Sequence, residues 1–325
     1  MALFRLALAL LGLPLFVFAA LAAFWAFRQA GLDGAVLMLE FRRLGEYPEL
    51  AALPVFAAAA LMIDRASVPA ELNRCADTQG ALASVAIGLA APGLTLLVFA
   101  AAAAILAPAT APEHADLLRA GLPAALGALS IALAIELLNG RLDFRTIQDQ
   151  GRSALRFFWP AFALLLLLYL EWLNAITVAA LLFTWSLKAR RRRVAWDHIP
   201  KVFAEAAVRT MPSLLVLGLS LAVSATWQHR VNWPGVVFDD FLTLAIGQGI
   251  VCLLSAAAAA LTATMIRHSL AAMALIAPPA IVLAQTINLS LLLQGLGLAV
   301  AIALGTRTGV QRAGQNAPCL SEQAR

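Results

Sequence analysis

Long apolar runs alternate with short polar connections along this chain. A helix needs about 20 apolar residues to cross a bilayer core, because backbone groups in lipid must bond within the segment. Leu6–Phe27 has that length and reads as a retained first span, since it exceeds the apolar core of a signal peptide. Leu50–Ile63 is shorter and carries Pro54, which predicts a half-length element or an extension of Ala35–Glu49. Gly80–Ala107 contains Pro92-Gly93 and is expected to bend or divide there. Ala120–Leu138 is a further span. Phe157–Leu187 is too long for one steep crossing at about 1.5 Å per residue, so a break is expected at Glu171–Asn174. Met211–Trp227, Phe241–Ile266, Leu270–Leu289 and Leu291–Leu304 complete the series, with a break expected at Pro278-Pro279. The sum is roughly eight to ten membrane elements, several interrupted.

Between two of these runs lies "KARRRRVAWDHIPKVFAEAAVRT", Lys188–Thr210. Ile199, Val202, Phe203, Ala206 and Ala207 recur at helical spacing and form one apolar face. Lys201, Glu205 and Arg209 fall on the other side, with Glu205 and Arg209 at a favourable i, i+4 spacing. Asp197 is placed to cap the helix, and Pro200 lies in its first turn, where proline is tolerated. Lys188–Lys201 holds six Lys or Arg against one Asp. The positive-inside rule then puts the loop 188–201 in the cytoplasm.

Composition agrees with the pattern. Hydrophobic residues make up 62% of the 325 and charged residues 13%, with a mean hydropathy of +0.86. A water-soluble domain of this size carries far more charge. The fold class expected is therefore all-α: a polytopic integral membrane protein with interrupted or re-entrant helices. Residues 1–304 read as one membrane domain, with an amphipathic cytoplasmic linker helix near its middle, over about 196–210. Residues 305–325 read as a loose polar tail. The net charge of +5 belongs to loops and membrane lipid, not to nucleic acid, which needs aromatics interleaved with base. Cys75, Cys252 and Cys319 are too far apart in sequence for a metal or disulfide framework, and the four histidines lack ligand spacing. With no nucleophile triad, P-loop or dinucleotide fingerprint, the chain reads as neither an enzyme nor a cofactor protein.

Several stretches, in order, resemble one family. "LAALPVFAAAALMIDRASVPAELNRCADTQG" (Leu50–Gly80) is similar to the "LLAIPLFILAGELM…GIAERL…G" region of the large membrane subunit of TRAP transporters, the DctM family. "IPKVFAEAAVRT" (Ile199–Thr210) resembles that family's "LPKVLLEAARTT", and "ALIAPPAIVLA" (Ala274–Ala284) its "LILAPILLPLA". "LAVAIALGTRTGV" (Leu298–Val310) stands where the family has "VNLAIGLLTPPVGV". The resemblance implies an elevator-type permease of the bacterial inner membrane, moving small organic anions such as C4-dicarboxylates with sodium as coupling ion. It also implies a small membrane subunit and a periplasmic substrate-binding protein as partners. The alternative is a transport-inactive scaffold or accessory subunit of the same type.

The chain departs from the family where ions and substrate bind. The hairpin "ISGSS" aligns near Leu97–Phe99, which has no hydroxyl, and "IPPS" aligns near Ser130–Leu133 without its prolines. "TPTE" aligns with Glu171–Asn174, "GMFLD" with Thr264–His268, and "TPPVG" with Gly305–Gly309, which puts Arg307 in place of a proline. The candidate pathway residues are accordingly Glu171, Asn174, Thr262, Thr264 and His268, with Arg267 beside the last and Glu136 near a span end. Intramembrane carboxylates are costly and often functional. Thr, by contrast, often bonds its own helix backbone, so structural and functional readings both stand for these positions.

Overall fold

The computed structural model describes residues 15–65, 92–108, 114–138, 159–160, 163–170, 172–189, 198–230, 245–266, 268–286 and 289–316. Every regular element among them is helical. In chain order these are α1 (Leu15–Ala30), α2 (Gly34–Leu44), α3 (Ala52–Arg65), α4 (Pro92–Leu106), α5 (His114–Arg119) and α6 (Gly121–Leu138). Then come α7 (163–169), α8 (Ala175–Ala189), α9 (His198–Arg230), α10 (Ala245–Ile266), α11 (Ser269–Thr286) and α12 (Leu291–Asn316). Glu171, Arg267, Asp197, the run Arg190–Arg193 and the stretches 66–91 and 231–244 lie outside the described residues.

Local chemistry sets several boundaries. α1 ends at Gly31, whose φ of 66° is the left-handed conformation that favours glycine. Asp33 then caps α2, accepting from the Ala35 amide. A single 3-10 turn, Pro48–Ala51, separates α2 from α3, so α3 is a distinct element of 14 residues, about 21 Å long. Prolines 54 and 123 each sit in a first helical turn, where no amide hydrogen is missed. α4 is described from Pro92 onward, and the division expected at Pro92-Gly93 adjoins residues outside the described ones.

α9 is the central mast. It packs on α1, α2, α3 and α11, while α8 lies against α3. The apolar face expected over 199–207 is present: Val202 and Ala206 are in the core, Ile199 and Phe203 lie against it, and Lys201 is exposed. The Phe203 ring meets Phe183 of α8 at 4.9 Å between centroids. On the outer side Arg209 pairs with Glu205 at 3.0 Å.

Three expected boundaries are corrected. The linker helix of 196–210 and the span of Met211–Trp227 form one helix of 33 residues. Pro212 lies inside it, near the exposed Val208 whose carbonyl it leaves without a helical donor, so water can serve there. Pro278-Pro279 does not end α11, which runs through both. The polar stretch from Gly305 is not loose at its start, because α12 continues to Asn316.

Among the described residues, two helical segments are long and apolar enough to cross a membrane, His198–Ser224 and Gln248–Ile266. Four further apolar helices are shorter. α10 and α12 form the most extensive helix pair. Gly297 of α12 faces the Cys252 sulfur, and Gly305 faces Ala260. These contacts are eight residues apart on both helices and in the same sense, so the two run parallel. A Cβ on Gly305 would collide with the Ala260 carbonyl oxygen. Small residues thus let the backbones touch.

A second close fit surrounds Tyr169, buried at the end of α7. Its ring occupies the places where side chains would begin on Gly93 and Gly121, at the starts of α4 and α6.

Gly305→Val is expected to force α10 and α12 apart and destabilise the protein by about 1–3 kcal/mol, the usual range for overpacking. A lowered thermal midpoint, against an unlowered or raised midpoint for Gly249→Ala, where a Cβ meets nothing within 4 Å and alanine is the better helix former, checks this.

Candidate functional site

The candidate residues that are described, Asn174, Thr262, Thr264 and His268, are committed to local hydrogen bonds. Asn174 is the N-cap of α8: its Oδ1 accepts from the Thr177 amide at 2.9 Å and from the Thr177 hydroxyl. The break expected at 171–174 is therefore present, and its asparagine serves to restart the helix. Thr262 donates to the Ala258 carbonyl at 2.8 Å and Thr264 to the Leu261 carbonyl at 2.7 Å, both within α10. Glu171 lies outside the described residues, as does the Glu136 side chain.

His268 connects α10 to α11. Its Nδ1 accepts from the Ala271 amide at 3.4 Å, capping α11. An accepting Nδ1 requires a neutral ring with the proton on Nε2. Burial, and after it the nearby Arg209, lowers the imidazole pKa below its ordinary value. The basic foot of α9 thus stands beside the α10–α11 turn. Thr262, Thr264 and His268 share this end of the bundle, while Asn174 belongs to the α7–α8 break.

Polar residues that the sequence pattern does not single out do more tertiary work. Pro279 has no amide hydrogen, so the carbonyl four residues earlier, that of Leu275, loses its helical partner. Ser220 of α9 supplies one, donating to Leu275 O at 3.1 Å. Gln285 near the end of α11 donates to Leu106 O, the last residue of α4, at 3.5 Å. Gln294 of α12 is only 1% exposed, and its Nε2 donates to Ser255 Oγ of α10 at 2.8 Å. Ser255 in turn donates to the Cys252 carbonyl at 2.9 Å. The Gln294 Oε1 atom is buried without a partner. An orphaned buried acceptor costs about 1–3 kcal/mol. The signal for these residues was an isolated Gln or Ser inside an apolar run, and a Pro pair needing a donor across the interface.

Among the described residues no three His, Cys, Asp or Glu side chains converge as metal ligands. A scan against protein-family models, a search of curated proteins and a search of solved structures each return no match.

Ser220→Ala is expected to destabilise the protein by about 1–3 kcal/mol by leaving Leu275 O unbonded. Pro279→Ala restores an amide donor, so the same serine change should cost less in that background; a double-mutant cycle by thermal denaturation measures the coupling. His268 makes a second expectation. Its folded pKa is lowered, so its contribution is full above the unfolded histidine value of about 6.5 and is lost as pH falls through the lowered folded value. Relative to His268→Asn, whose cap does not titrate, the unchanged protein should lose stability on acidification through that window.

Proposed function

We propose that this chain is a multi-pass integral membrane protein of the bacterial inner membrane, with loop 188–201 in the cytoplasm. The observation that carries this reading is the outer face of α10. Ile250, Leu253, Leu254, Leu261 and Met265 recur on one helical face, and all are exposed, Leu253 at 71%. Soluble proteins rarely leave so long an apolar stripe uncovered. Acyl chains cover it without penalty. Charge supports the same orientation. Lys201 and Arg209 of α9 lie toward the end of the bundle where the α10–α11 turn stands. That is the end expected to face the cytoplasm.

Within that setting, the chain is best read as a divergent TRAP-type large permease subunit that moves a small organic anion. The α7–α8 break supports it, since transporters use interrupted helices near their binding sites. One observation favours the second reading, a transport-inactive scaffold: Asn174, Thr262 and Thr264 direct their polar atoms to their own helices. A small membrane subunit and a periplasmic binding protein would be partners in the first case, and a complete permease in the second.

Two measurements test these statements. A single cysteine introduced at Ala195 in a chain lacking its three native cysteines should react with an impermeant maleimide only from the cytoplasmic side. Labelling from the outside would overturn the orientation, and recovery of the protein in the soluble fraction would overturn the membrane reading. For transport, proteoliposomes with the partner subunits should accumulate labelled dicarboxylate under a sodium gradient. Absence of uptake across a panel of organic acids selects the scaffold.

A further inference from the structure

The basic charge of this chain is concentrated in one place. Of its 23 Lys and Arg and 18 Asp and Glu, seven and two fall between Lys188 and Arg209, so this segment accounts for the whole net charge of +5. Residues 198–209 of it form the start of α9. Lys201 and Arg209 are exposed there, and Arg209 is paired with Glu205 at 3.0 Å.

The same stretch of α9 has an open outer side. Val202, Ala206, Thr210 and Ser213 are buried, while Lys201, Ala204, Val208, Met211 and Leu215 recur at helical spacing on the opposite side and are exposed, Val208 at 72%. The exposure then stops, since every residue from Val216 to Ala222 is buried. The open strip therefore begins at an ammonium group and ends at Leu215, about 21 Å further along the helix. One leaflet of a bilayer, headgroups included, is about 20–22 Å thick. A phospholipid has that length and the same order of chemistry, an anionic phosphate followed by hydrocarbon. Arg209 lies beside the strip, where its stem can rest on apolar surface with the guanidinium at the phosphate level. Glu205 takes part of its charge, which leaves Lys201 as the principal phosphate contact. The outer face of α10 differs: Ile250, Leu253, Leu254, Leu261 and Met265 carry no charge, so acyl chains cover it whatever their headgroup.

We propose that the outer side of α9 from Lys201 to Leu215 is a seat for one anionic phospholipid of the cytoplasmic leaflet. Lys201 and Arg209 hold its phosphate, and Val208, Met211 and Leu215 lie along its acyl chain. The seat rests on the membrane reading and its orientation, and is indifferent to the permease reading. A lipid held there fixes the depth of α9, on which the rest of the bundle packs.

Nitroxide quenching in nanodiscs tests this. The full-length chain without its three native cysteines carries a fluorophore at Ala204→Cys, or at Leu261→Cys on α10 as the reference. The nanodiscs hold phosphatidylglycerol and phosphatidylcholine, with one or the other spin-labelled high on its acyl chain at the same mole fraction. At position 204 labelled phosphatidylglycerol should quench about two- to fivefold more than labelled phosphatidylcholine. At position 261 the two should quench alike. Lys201→Gln with Arg209→Gln should bring the ratio at 204 toward that at 261, and retained quenching at 261 shows that the substituted chain is inserted. Raised salt, which needs no substitution, should lower the ratio in the same direction. Equal quenching by the two lipids at 204 overturns the proposal. So does quenching there by neither, the result expected if an acidic protein partner covers the strip. A ratio that both substitutions leave unchanged means that the basic segment attracts anionic lipid without a seat on α9, and also overturns it. Loss of quenching at 204 and 261 together overturns the membrane reading instead.

Discussion

Every polar group in this core must find a partner among very few candidates, and that scarcity governs the rest of the structure. A chain that is 62% hydrophobic has little side-chain hydrogen-bonding capacity to spend on its interior. Most of its buried hydroxyls turn back on the carbonyls three or four residues earlier in their own helix, as Ser186, Thr210 and Thr306 do. Such bonds satisfy the side chain without tying one helix to another. The few that do cross between helices, from Ser220, Gln285 and Gln294, then carry the directional information. Dispersion and the shape of small residues supply the remaining cohesion.

The two kinds of adhesion are divided among the helices. α9 and α11 are joined where a proline has stripped a carbonyl of its donor and a serine replaces it. α10 and α12 are joined by the near absence of side chains, with Gly305 pressed on the Ala260 backbone and Gly297 on Cys252. The first joint is chemical and tolerates some distance. The second is steric. α11 belongs to both, since it packs on α9, α10 and α12. A disturbance at Pro279 therefore reaches the glycine-lined pair as well as the mast.

Much of the helical plan was legible in the sequence, because apolar length and the 3.6-residue period are strong signals. The break before Asn174, the separate short α3 and the apolar face of 199–207 all follow from runs, prolines and spacing. Continuity was harder to read. Pro278-Pro279 looks like a stop when one helix is considered alone, whereas the hydroxyl of Ser220, 55 residues before Leu275 in sequence, serves the carbonyl that Pro279 leaves without a donor. Likewise the polar letters after Gly305 conceal a helix, since glycine and threonine at 305–309 lower propensity but the packing on α10 overrides it. Thr262 and Thr264 lie on α10, within a run whose apolar length predicts a helix, yet whether a threonine faces its own backbone or a cavity is a matter of rotamer, which no spacing encodes. Gln294 was passed over because a lone amide carries no motif.

Tyr169 gives the interrupted region its mechanical character. Its ring lies where Gly93 and Gly121 leave room, so the end of α7 is keyed into the beginnings of two other helices. A chain break is usually pictured as slack. Here the interruption is a keystone: three helical ends bear on one aromatic plate, and the segment that restarts at Asn174 springs from a fixed abutment.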